Sequence, residues 1–469
     1  MIESKLSSNA IGLKEGLIQG VASAAPAGAA VATLTGAAFF ALGALPLTAF
    51  IAFLVVLLNG YIISKISLKV SGSGGYYEYV KRGHGPSAAL LTGFIYIFYQ
   101  IMALAFVALS IAVFVPAALS SVFNINVPSY LLTPFLAASL GYGFIISFSG
   151  IKLSTRYTMI MALIEIVAVG LMEAYILLTH PSLNNPGVFT LKYSPNGITG
   201  VALGVLLMYT AFAGFGASTP LGEESRKPKQ TISKSVIISI LILGAFFVFS
   251  AYTFTVAYGP AKMSEYATAL VPGITILDSY LGVGAGVFIT ILFVNSLLTG
   301  LVVLTNATSR VLMTMARDGL VPKMFAKTHK KRLTPHIAAG AITLSALVIS
   351  TVSALLLGGF TAFITVAIGA TLGTLFVHIL INSAFPSVNK RFTGKFGIGN
   401  IILSAVSIVI FLFILASTFL SINLAVIAGT AAFIAFTVFA IFAIYVKRRR
   451  LNELKVGVAR ELTTEPLLK

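Results

Sequence analysis

The chain has 469 residues, of which 58% are hydrophobic and only 9% are charged, and its formal net charge is +18. Because soluble globular proteins carry about 25% charged residues, this composition excludes a water-soluble fold and predicts that most of the surface faces lipid. The chain contains no cysteine, which excludes disulfides, thiol catalysis and cysteine-based metal sites.

The apolar stretches predict an all-α membrane protein. The polar segment 1–15 runs into the first stretch without a cleavable signal peptide, so we expect the N-terminus to stay cytoplasmic. Runs of about 20 apolar residues then predict twelve transmembrane helices. In chain order, they span 16–40, 45–66, 87–118, 128–149, 158–179, 199–220, 233–258, 282–308, 336–357, 361–383, 400–420 and 423–446.

The positive charges support this topology. With the N-terminus inside, all but two of the 31 Lys and Arg residues fall on the predicted cytoplasmic side, as the positive-inside rule requires. The exceptions are Lys192 and Lys262. We therefore interpret the net charge as an orientation signal and not as a nucleic-acid-binding surface. The protein is expected in the plasma membrane, with both termini cytoplasmic.

The predicted helices divide into groups of five, five and two. Helices 1 and 6 each open a five-helix group, and both are interrupted by Pro and Gly. Broken helices in corresponding positions of two halves indicate the binding site of a transporter with inverted repeats. The predicted organisation is a cytoplasmic segment, two five-helix repeats, two further helices and a basic tail: 1–15, 16–179, 199–383, 400–446 and 447–469.

The two interruptions supply candidate substrate-binding residues. Pro26 removes a main-chain donor and Gly28 removes side-chain bulk, so the helix is expected to unwind there. Main-chain groups freed at mid-membrane are tolerable only where they line a cavity or bind something, and the start of the continuing half-helix suits a carboxylate. The alternative is a pair of kinked helices that merely pack closely. The candidates are Ser23, Ala24, Ala25, Pro26, Ala27, Gly28, Phe212, Ala213, Gly214 and Phe215.

Polar side chains within the predicted helices add further candidates. Glu165 and Glu173 are the acids inside predicted spans, where an ionised carboxylate is costly. Glu165 lies near the midplane and is the predicted proton-coupling residue, although either acid could instead bond to a neighbouring helix without a role in transport. Tyr99 and Gln100 in helix 3 are candidate pocket residues, and Gln100 could equally serve helix packing. His378 is expected to be a hydrogen-bonded core residue.

Three motifs stand in a fixed order between these helices. They are 74–79 (GGYYEY), 212–228 (FAGFGASTPLGEESRKP) and 309–322 (SRVLMTMARDGLVP). They resemble the GG-x-Y, GF-x(n)-EE-x-x-x-P and R-x-L…ARDG-x-x-P signatures of amino acid permeases in the amino acid–polyamine–organocation (APC) superfamily. The resemblance runs across most of residues 12–390. It implies a LeuT-like core of two inverted five-helix repeats, with the substrate between the breaks of helices 1 and 6 and held largely by main chain.

The resemblance also implies roles for single residues. Phe212 and Phe215 would lie in the aromatic gate and pocket region. Gly216 stands where many members carry Asp or Glu, and the helix 1 signature GxG reads GAA at 28–30. In proton-coupled relatives a helix 5 lysine takes the position of Glu165, so the sign of the charge is reversed here. A protonatable carboxylate at that position could still report its state to the broken helix beside it.

We therefore expect a secondary amino acid transporter that works by alternating access. Because the pocket segments hold no charge, the expected substrate is a neutral amino acid, with proton coupling through Glu165. Alternatives are an amino acid exchanger, a carrier of polyamines or other organic amines, sodium coupling, and a substrate sensor on a transporter scaffold. No enzymatic activity, cofactor, metal or nucleic acid partner is expected, since no nucleophile–base pair or metal spacing occurs at membrane depth.

Overall fold

The computed structural model describes residues 5–420, 423–447 and 451–452, apart from the side chains of Ala213 and Leu420. Most of the predicted basic tail, from 448 onwards, therefore lies outside the described residues. Regular structure in the described part is helical, and one isolated parallel bridge joins Ile11 to Ser225. This agrees with the all-α membrane fold expected from composition.

The α-helices follow one another along the whole chain. They are α1 Leu13–Ser23, α2 Pro26–Gly28, α3 Leu34–Ala41, α4 Leu45–Ser67, α5 Tyr76–His84, α6 Pro86–Phe123, α7 Leu132–Phe148, α8 Ile151–Thr179, α9 Gly197–Phe212, α10 Pro228–Tyr258, α11 Met263–Thr268, α12 Pro272–Leu281, α13 Val283–Arg317, α14 His336–Leu357, α15 Gly359–Thr393, α16 Ile398–Ser417 and α17 Leu424–Val446.

Eleven helical stretches of the described residues are long and apolar enough to cross a membrane. The first, Leu13–Ser67, has 55 residues, whereas about 20 suffice for a bilayer. Leu42, with φ +50° and ψ −130°, interrupts it between α3 and α4. Two predicted spans, 16–40 and 45–66, fall in this stretch, so the count of twelve crossings remains a prediction.

Most predicted spans match the helices closely, and the larger differences lie at one end of the bundle. Helix α13 runs to Arg317 instead of residue 308, and α15 runs to Thr393 instead of residue 383. Polar residues beyond the apolar stretch mark where a helix leaves lipid, not where it ends. The structure also adds α5, α11 and α12, which lie outside the predicted spans.

The interruption of the first helix lies at Ala24 and Ala25. Ala25 adopts the left-handed conformation (φ +46°, ψ +68°), which is unfavourable for a residue with a Cβ. Pro26 follows at the first position of α2 and disfavours the right-handed helical conformation for the residue before it. A π-helical turn, Ala29–Thr33, then connects α2 to α3. The proline therefore ends one helix and starts the next.

The interruption of the sixth predicted helix begins after Phe212. Helix α9 ends there, and Ala213–Glu224 continues as a 3-10 helix with a kink at Leu221. The main chain beyond it pairs with the start of the chain, because Ile11 N–H donates to Glu224 O (2.9 Å) and Arg226 N–H donates to Ile11 O (2.9 Å). The two interrupted segments are thus joined at one end of the bundle.

That end, which carries Lys14, Arg82, Arg226 and Arg332, is called the basic face below, and the other end the opposite face. In the most apolar 18 residues of each helical stretch, 82% of the residues are buried in Gly197–Glu224 and 78% in each of α6 and α15. In α14 and α16 the share is 22%. The interrupted helices therefore occupy the centre of the bundle, where substrate contacts would be shielded from lipid. The two five-helix repeats remain a prediction.

Candidate substrate site between the interrupted helices

A small cavity lies where the two interruptions meet. Its volume is about 40 Å³, well below the roughly 300–1,000 Å³ of typical ligand pockets. None of the described residues that line it is charged. The lining comprises small residues of the first interruption and mostly apolar or hydroxyl residues of α6, α9, α13 and α15: Ser23, Ala24, Ala25, Gly28, Ala29, Ala32, Thr33, Gln100, Ala103, Phe106, Val107, Ser110, Thr210, Ala211, Gly214, Leu297, Leu304, Ala370 and Thr374.

Six residues that the sequence proposes for substrate binding line this cavity: Ser23, Ala24, Ala25, Gly28, Gln100 and Gly214. Five others do not appear in its lining: Pro26, Ala27, Phe212, Phe215 and Tyr99. The three aromatic side chains among these five pack against neighbouring rings, namely Phe247, His378 and Tyr96 respectively. Ala213 also belongs to the proposed set, and its side chain lies outside the described part of the structure.

Ser23 joins the two interruptions directly. Its hydroxyl lies 2.5 Å from the Gly214 carbonyl oxygen and 2.9 Å from that of Gly20, and both oxygens accept from it. The approach depends on glycine, because a Cβ at position 214 would lie 2.6 Å from the Ser23 Cβ. The contact holds the end of α1 and the start of the 3-10 helix together at one wall of the cavity.

Glu165 lies just behind that wall and is fully buried. Its carboxylate accepts hydrogen bonds from Ser296 Oγ (2.5 Å) and Asn295 Nδ2 (3.1 Å) of α13. The main-chain N–H of Ala27, in α2, also donates to it. The carboxylate therefore connects α8, α13 and the short helix that begins at Pro26. Removing its negative charge would weaken three donor contacts together, one of them to the broken helix.

A hydrogen-bonded cluster next to the cavity was only partly visible in the sequence. His378 Nδ1 lies 2.6 Å from Tyr209 Oη, and Asn59 Nδ2 donates to the same oxygen (3.2 Å). His378 is fully buried, as expected of a hydrogen-bonded core residue. Gln100 Nε2 donates to Tyr96 Oη (2.9 Å), one turn earlier in α6, and the Gln100 side chain also lines the cavity.

The hydroxyls on the α9 and α15 side of the cavity were missed by sequence reasoning. Thr210 Oγ1 and Thr371 Oγ1 lie 2.5 Å apart and join α9 to α15, and Thr374 lines the cavity one turn further along α15. Threonine is common in apolar helices, where it bonds to the preceding turn, so no local signal marks these positions. Only the pairing of distant helices identifies them.

Ion pairs lie on the side of the cavity that faces the basic face. Arg310 and Glu224 are both fully buried and form a two-point pair, in which Nε donates to one carboxylate oxygen and Nη2 to the other at 3.1 Å. Arg317 pairs with Glu223 at 2.8 Å in a more exposed position. The EE and ARDG motifs that carry the resemblance thus meet in space. Their joint role as a closure was not visible in the sequence.

The loop before α5 completes this closure. Gly222 N–H donates to Gly72 O (3.2 Å), and Glu78 accepts from Gly74 N–H (3.1 Å). Asp318 accepts from Lys81 at 3.0 Å and from Tyr77. Burial raises the pKa of Glu78 to about 7, against the opposing effect of the Gly74 N–H. The closure therefore includes one carboxyl group that titrates near neutral pH.

Towards the opposite face, two further cavities continue from the central one. A cavity of about 360 Å³ is lined by apolar residues that include Phe39, Phe114 and Phe360. A smaller cavity of about 10 Å³ shares Gly36 and Leu207 with that one and Phe106 with the central one. Among the described residues, this route is lined mainly by apolar side chains with a few hydroxyl groups, in contrast to the ion pairs on the basic face.

A helical membrane bundle whose two interrupted helices meet at a small uncharged cavity has the architecture of a membrane transporter. The class of protein defined by fold and site is therefore a transport protein. A family model described as amino acid permease matches residues 15–450. The chain belongs to the amino acid permease family, within the APC superfamily.

Curated relatives are consistent with this membership. Branched-chain amino acid permease BcaP of Bacillus subtilis is 28% identical over 278 residues, which cover 59% of this chain and 55% of that protein. The methylthioribose transporter of Bacillus subtilis is 26% identical, with 65% and 66% covered. Low-affinity putrescine importer PlaP of Escherichia coli K12 is 22% identical, with 74% and 75% covered. The match to BcaP thus spans about half the length of that relative.

Proposed function

We propose that this protein is a secondary active transporter that carries a neutral amino acid across the plasma membrane by alternating access, driven by protons. The observation that carries this proposal is the cavity at the meeting point of the two interruptions. Small apolar residues, hydroxyl groups and the Gln100 amide line it, and no charged side chain of the described residues does. A zwitterion brings one positive and one negative group, and main-chain dipoles can complement both.

The substrate carboxylate would face the start of α2, where the dipole of the half-helix is positive. The substrate ammonium would face carbonyl oxygens at the end of α1 and in the stretch after Phe212, near Gly214. Small residues at Ala24, Ala25 and Gly28 leave room for this approach. Because the cavity is only about 40 Å³, binding must widen it, and bulky side chains of the lining such as Phe106, Leu297 and Leu304 can move.

The uncharged lining favours a neutral amino acid over a polyamine. A diamine brings two positive charges and no carboxylate, so its site would need an acid in contact with it. Glu165 lies behind Ala27 and its carboxylate is already engaged by Ser296 and Asn295. One relative is named a putrescine importer, so putrescine belongs in the substrate panel as a direct comparison.

Proton coupling is assigned to Glu165. Its carboxylate contacts the first turn after the interruption through Ala27, so its protonation state changes the contacts that hold α2 in place. The basic face, with the N-terminus, is assigned to the cytoplasm, so the ion pairs of Glu224 and Glu223 close the cytoplasmic side. The twelve-crossing topology and the two five-helix repeats belong to the same proposal.

The test is uptake by purified protein in liposomes with an alkaline interior, using labelled amino acids and putrescine at several external pH values. We expect accumulation of one or more neutral amino acids, lost when the pH gradient is dissipated. Glu165→Gln should lower gradient-driven uptake at least tenfold while counterflow continues, because the neutral glutamine permanently mimics the protonated carboxyl group. The exposed Glu265→Gln is the matched control and should transport as the wild type does.

Several results would contradict the proposal. Binding without any uptake or counterflow would indicate a substrate sensor. Exchange without net gradient-driven uptake would indicate an exchanger, and a requirement for sodium would remove the proton role. If Glu165→Gln retains gradient-driven uptake, the coupling residue is wrong even where transport is right.

A further inference from the structure

The second intramembrane acid, Glu173, has surroundings that contrast with those of Glu165. It lies eight residues further along α8, roughly 12 Å closer to the opposite face. Its side chain is 0% exposed, and among the described residues neither carboxylate oxygen makes a hydrogen bond of good geometry, with the Ser250 hydroxyl as the one donor close by. A buried carboxyl group without such hydrogen bonds is costly when ionised, so this position requires an explanation that proton coupling at Glu165 does not provide.

Two buried hydroxyl groups lie near Glu173, and in the described part of the chain neither makes a hydrogen bond of good geometry. Ser250 of α10 lies within reach of the carboxyl group, and Tyr266 of α11 interacts with it electrostatically while its hydroxyl also lies close to Thr35 of α3. A protonated carboxyl group offers one donor and one acceptor, so it can satisfy such hydroxyls after small rotations. An ionised one could accept from them, but its charge would remain uncompensated.

Other titratable groups on the neighbouring elements are engaged elsewhere or are themselves acidic. The His180 ring packs against Tyr280 of α12, and the Glu265 carboxylate of α11 interacts electrostatically with Tyr258. Asp278 of α12 lies against Gly286. The arginines of α13 lie at the basic face, where Arg310 pairs with Glu224. No cation from these described elements is positioned to hold Glu173 in its ionised form.

Helix α11, whose Tyr266 interacts electrostatically with Glu173, also borders the route to the central cavity. Helix α11, Met263–Thr268, packs against α3, and its residue Ala267 lines the cavity of about 360 Å³ that opens on the opposite face. Tyr266, the residue before Ala267, is fully buried and interacts electrostatically with the Glu173 carboxyl group. Lifting α11 from α3 would therefore widen the route and hydrate Glu173 in one movement.

We propose that Glu173 is a second proton-binding site, loaded when α11 closes onto α3 and unloaded when α11 lifts, so that closing the opposite face takes up one proton. The inference rests on the alternating access proposed above, but not on Glu165 or on the identity of the substrate. Because one proton is linked to a two-state equilibrium, the ratio of open to closed forms changes by at most about tenfold per pH unit. Acid favours the closed form.

Because the chain contains no cysteine, single thiols can report on α11. The experiment uses full-length Ala267→Cys protein in lipid nanodiscs and measures its labelling rate with a hydrophilic maleimide between pH 5.5 and 8.5. Ser264→Cys, exposed on the same helix, corrects for the rise of the thiolate fraction, and hence of the labelling rate, with pH. The ratio of the two rates should rise with pH by several-fold or more. In a Glu173→Gln background, the ratio should stay at its low value throughout.

Two further backgrounds make the outcome decisive. Glu165→Gln should preserve the pH dependence, which separates this site from the proposed coupling residue. Glu173→Met, neutral and of similar volume, should behave as Glu173→Gln does and replaces it if the glutamine variant does not fold. A flat ratio in the wild-type background, or a pH dependence that survives loss of the Glu173 carboxyl, would overturn the proposal. Absence of amino acid uptake would sink the proposed function but not this result.

Discussion

At the scale of single residues, the contact between Ser23 and Gly214 decides how closely the two interruptions approach. The Ser23 hydroxyl bonds to the Gly214 carbonyl across 191 positions of sequence. A Cβ at position 214 would also lie 2.7 Å from the Ser23 carbonyl carbon, a separation that only main-chain movement can relieve. Glycine is required here by the close approach and not by an unusual dihedral angle.

Gly214→Ala should therefore separate the two interrupted helices and disrupt the cavity wall. We expect substrate binding and uptake to fall at least tenfold, because a displacement of about 1 Å in a binding constellation has effects of this order. The measurement is binding by thermal shift or scintillation proximity, together with uptake in liposomes.

Gly340→Ala in α14 is the control, since its added Cβ would first meet Phe144 Cε2 at 3.7 Å, an ordinary contact. It should bind and transport as the wild type does. Wild-type affinity in Gly214→Ala would mean that substrate does not occupy the space between these two helices.

Sequence reasoning reached the residues of the site unevenly. Ser23, Gly28 and Gly214 were proposed because Pro and Gly in an apolar helix signal a break, which is a local property. Thr210 and Thr374 were not proposed, because a threonine in a helix carries no sign of which neighbour it will face. Such contacts depend on helix packing between segments far apart in sequence.

At the scale of elements, short segments outside the spans form the closure on the basic face. Helix α5 carries Glu78, which accepts from the Gly74 N–H and holds the 72–75 loop against Gly222. The loop and the 3-10 helix Ala213–Glu224 therefore move together or separate at this point. The sequence identifies the motif around Glu78 but does not predict its geometry. Helix α5 is short, and it packs against α15, which is distant in the sequence.

Titration of Glu78 should make stability depend on pH. The folded-state pKa of Glu78, about 7, lies above the ordinary value of 4.5. Between these two pH values, the folded protein therefore holds a proton that the unfolded chain has already released. The contribution of this group is then greatest below about pH 4.5, falls as pH rises towards 7, and is constant above that.

The measurement is the thermal unfolding midpoint in detergent from pH 4.5 to 8.5 for the wild type, Glu78→Gln and Glu15→Gln. The difference between the wild type and Glu78→Gln should change up to about pH 7 and then level off. Glu15→Gln measures the effect of removing one carboxyl group elsewhere in the chain. A constant difference between the wild type and Glu78→Gln over the whole range would contradict the assignment of this titration to Glu78.

At the scale of the whole molecule, the two faces are closed by different kinds of contact. The basic face uses a fully buried ion pair, and removing one partner of such a pair typically costs about 3–5 kcal/mol because the other charge is left uncompensated. The opposite face is narrowed by Phe106, Leu207 and Phe363, which can change rotamer at much lower cost. Breaking the contacts at the two faces therefore has different energetic costs.

The orientation of the bundle can be tested with single cysteines in intact cells. Lys192→Cys, on the opposite face, should react with an impermeant maleimide from outside, because the positive-inside rule places that loop there. Lys330→Cys should react only after permeabilisation. Both positions are exposed, and the unmodified chain, which has no thiol, provides the background. The reverse pattern would invert the topology and the assignment of the cytoplasmic closure.

The sequence alone determined that the chain is an all-α membrane protein of this family, and it located both interruptions. Hydropathy, Pro and Gly act locally, and the cost of an unbonded main-chain group in lipid leaves helices as the only solution for such apolar stretches. Only the tertiary structure decided that Ser23 meets Gly214, that Glu165 reaches Ala27, and that Glu173 lies near Ser250 and Tyr266. Those facts depend on which helix faces lie together, and in a uniformly apolar chain the pattern of single helices does not specify this.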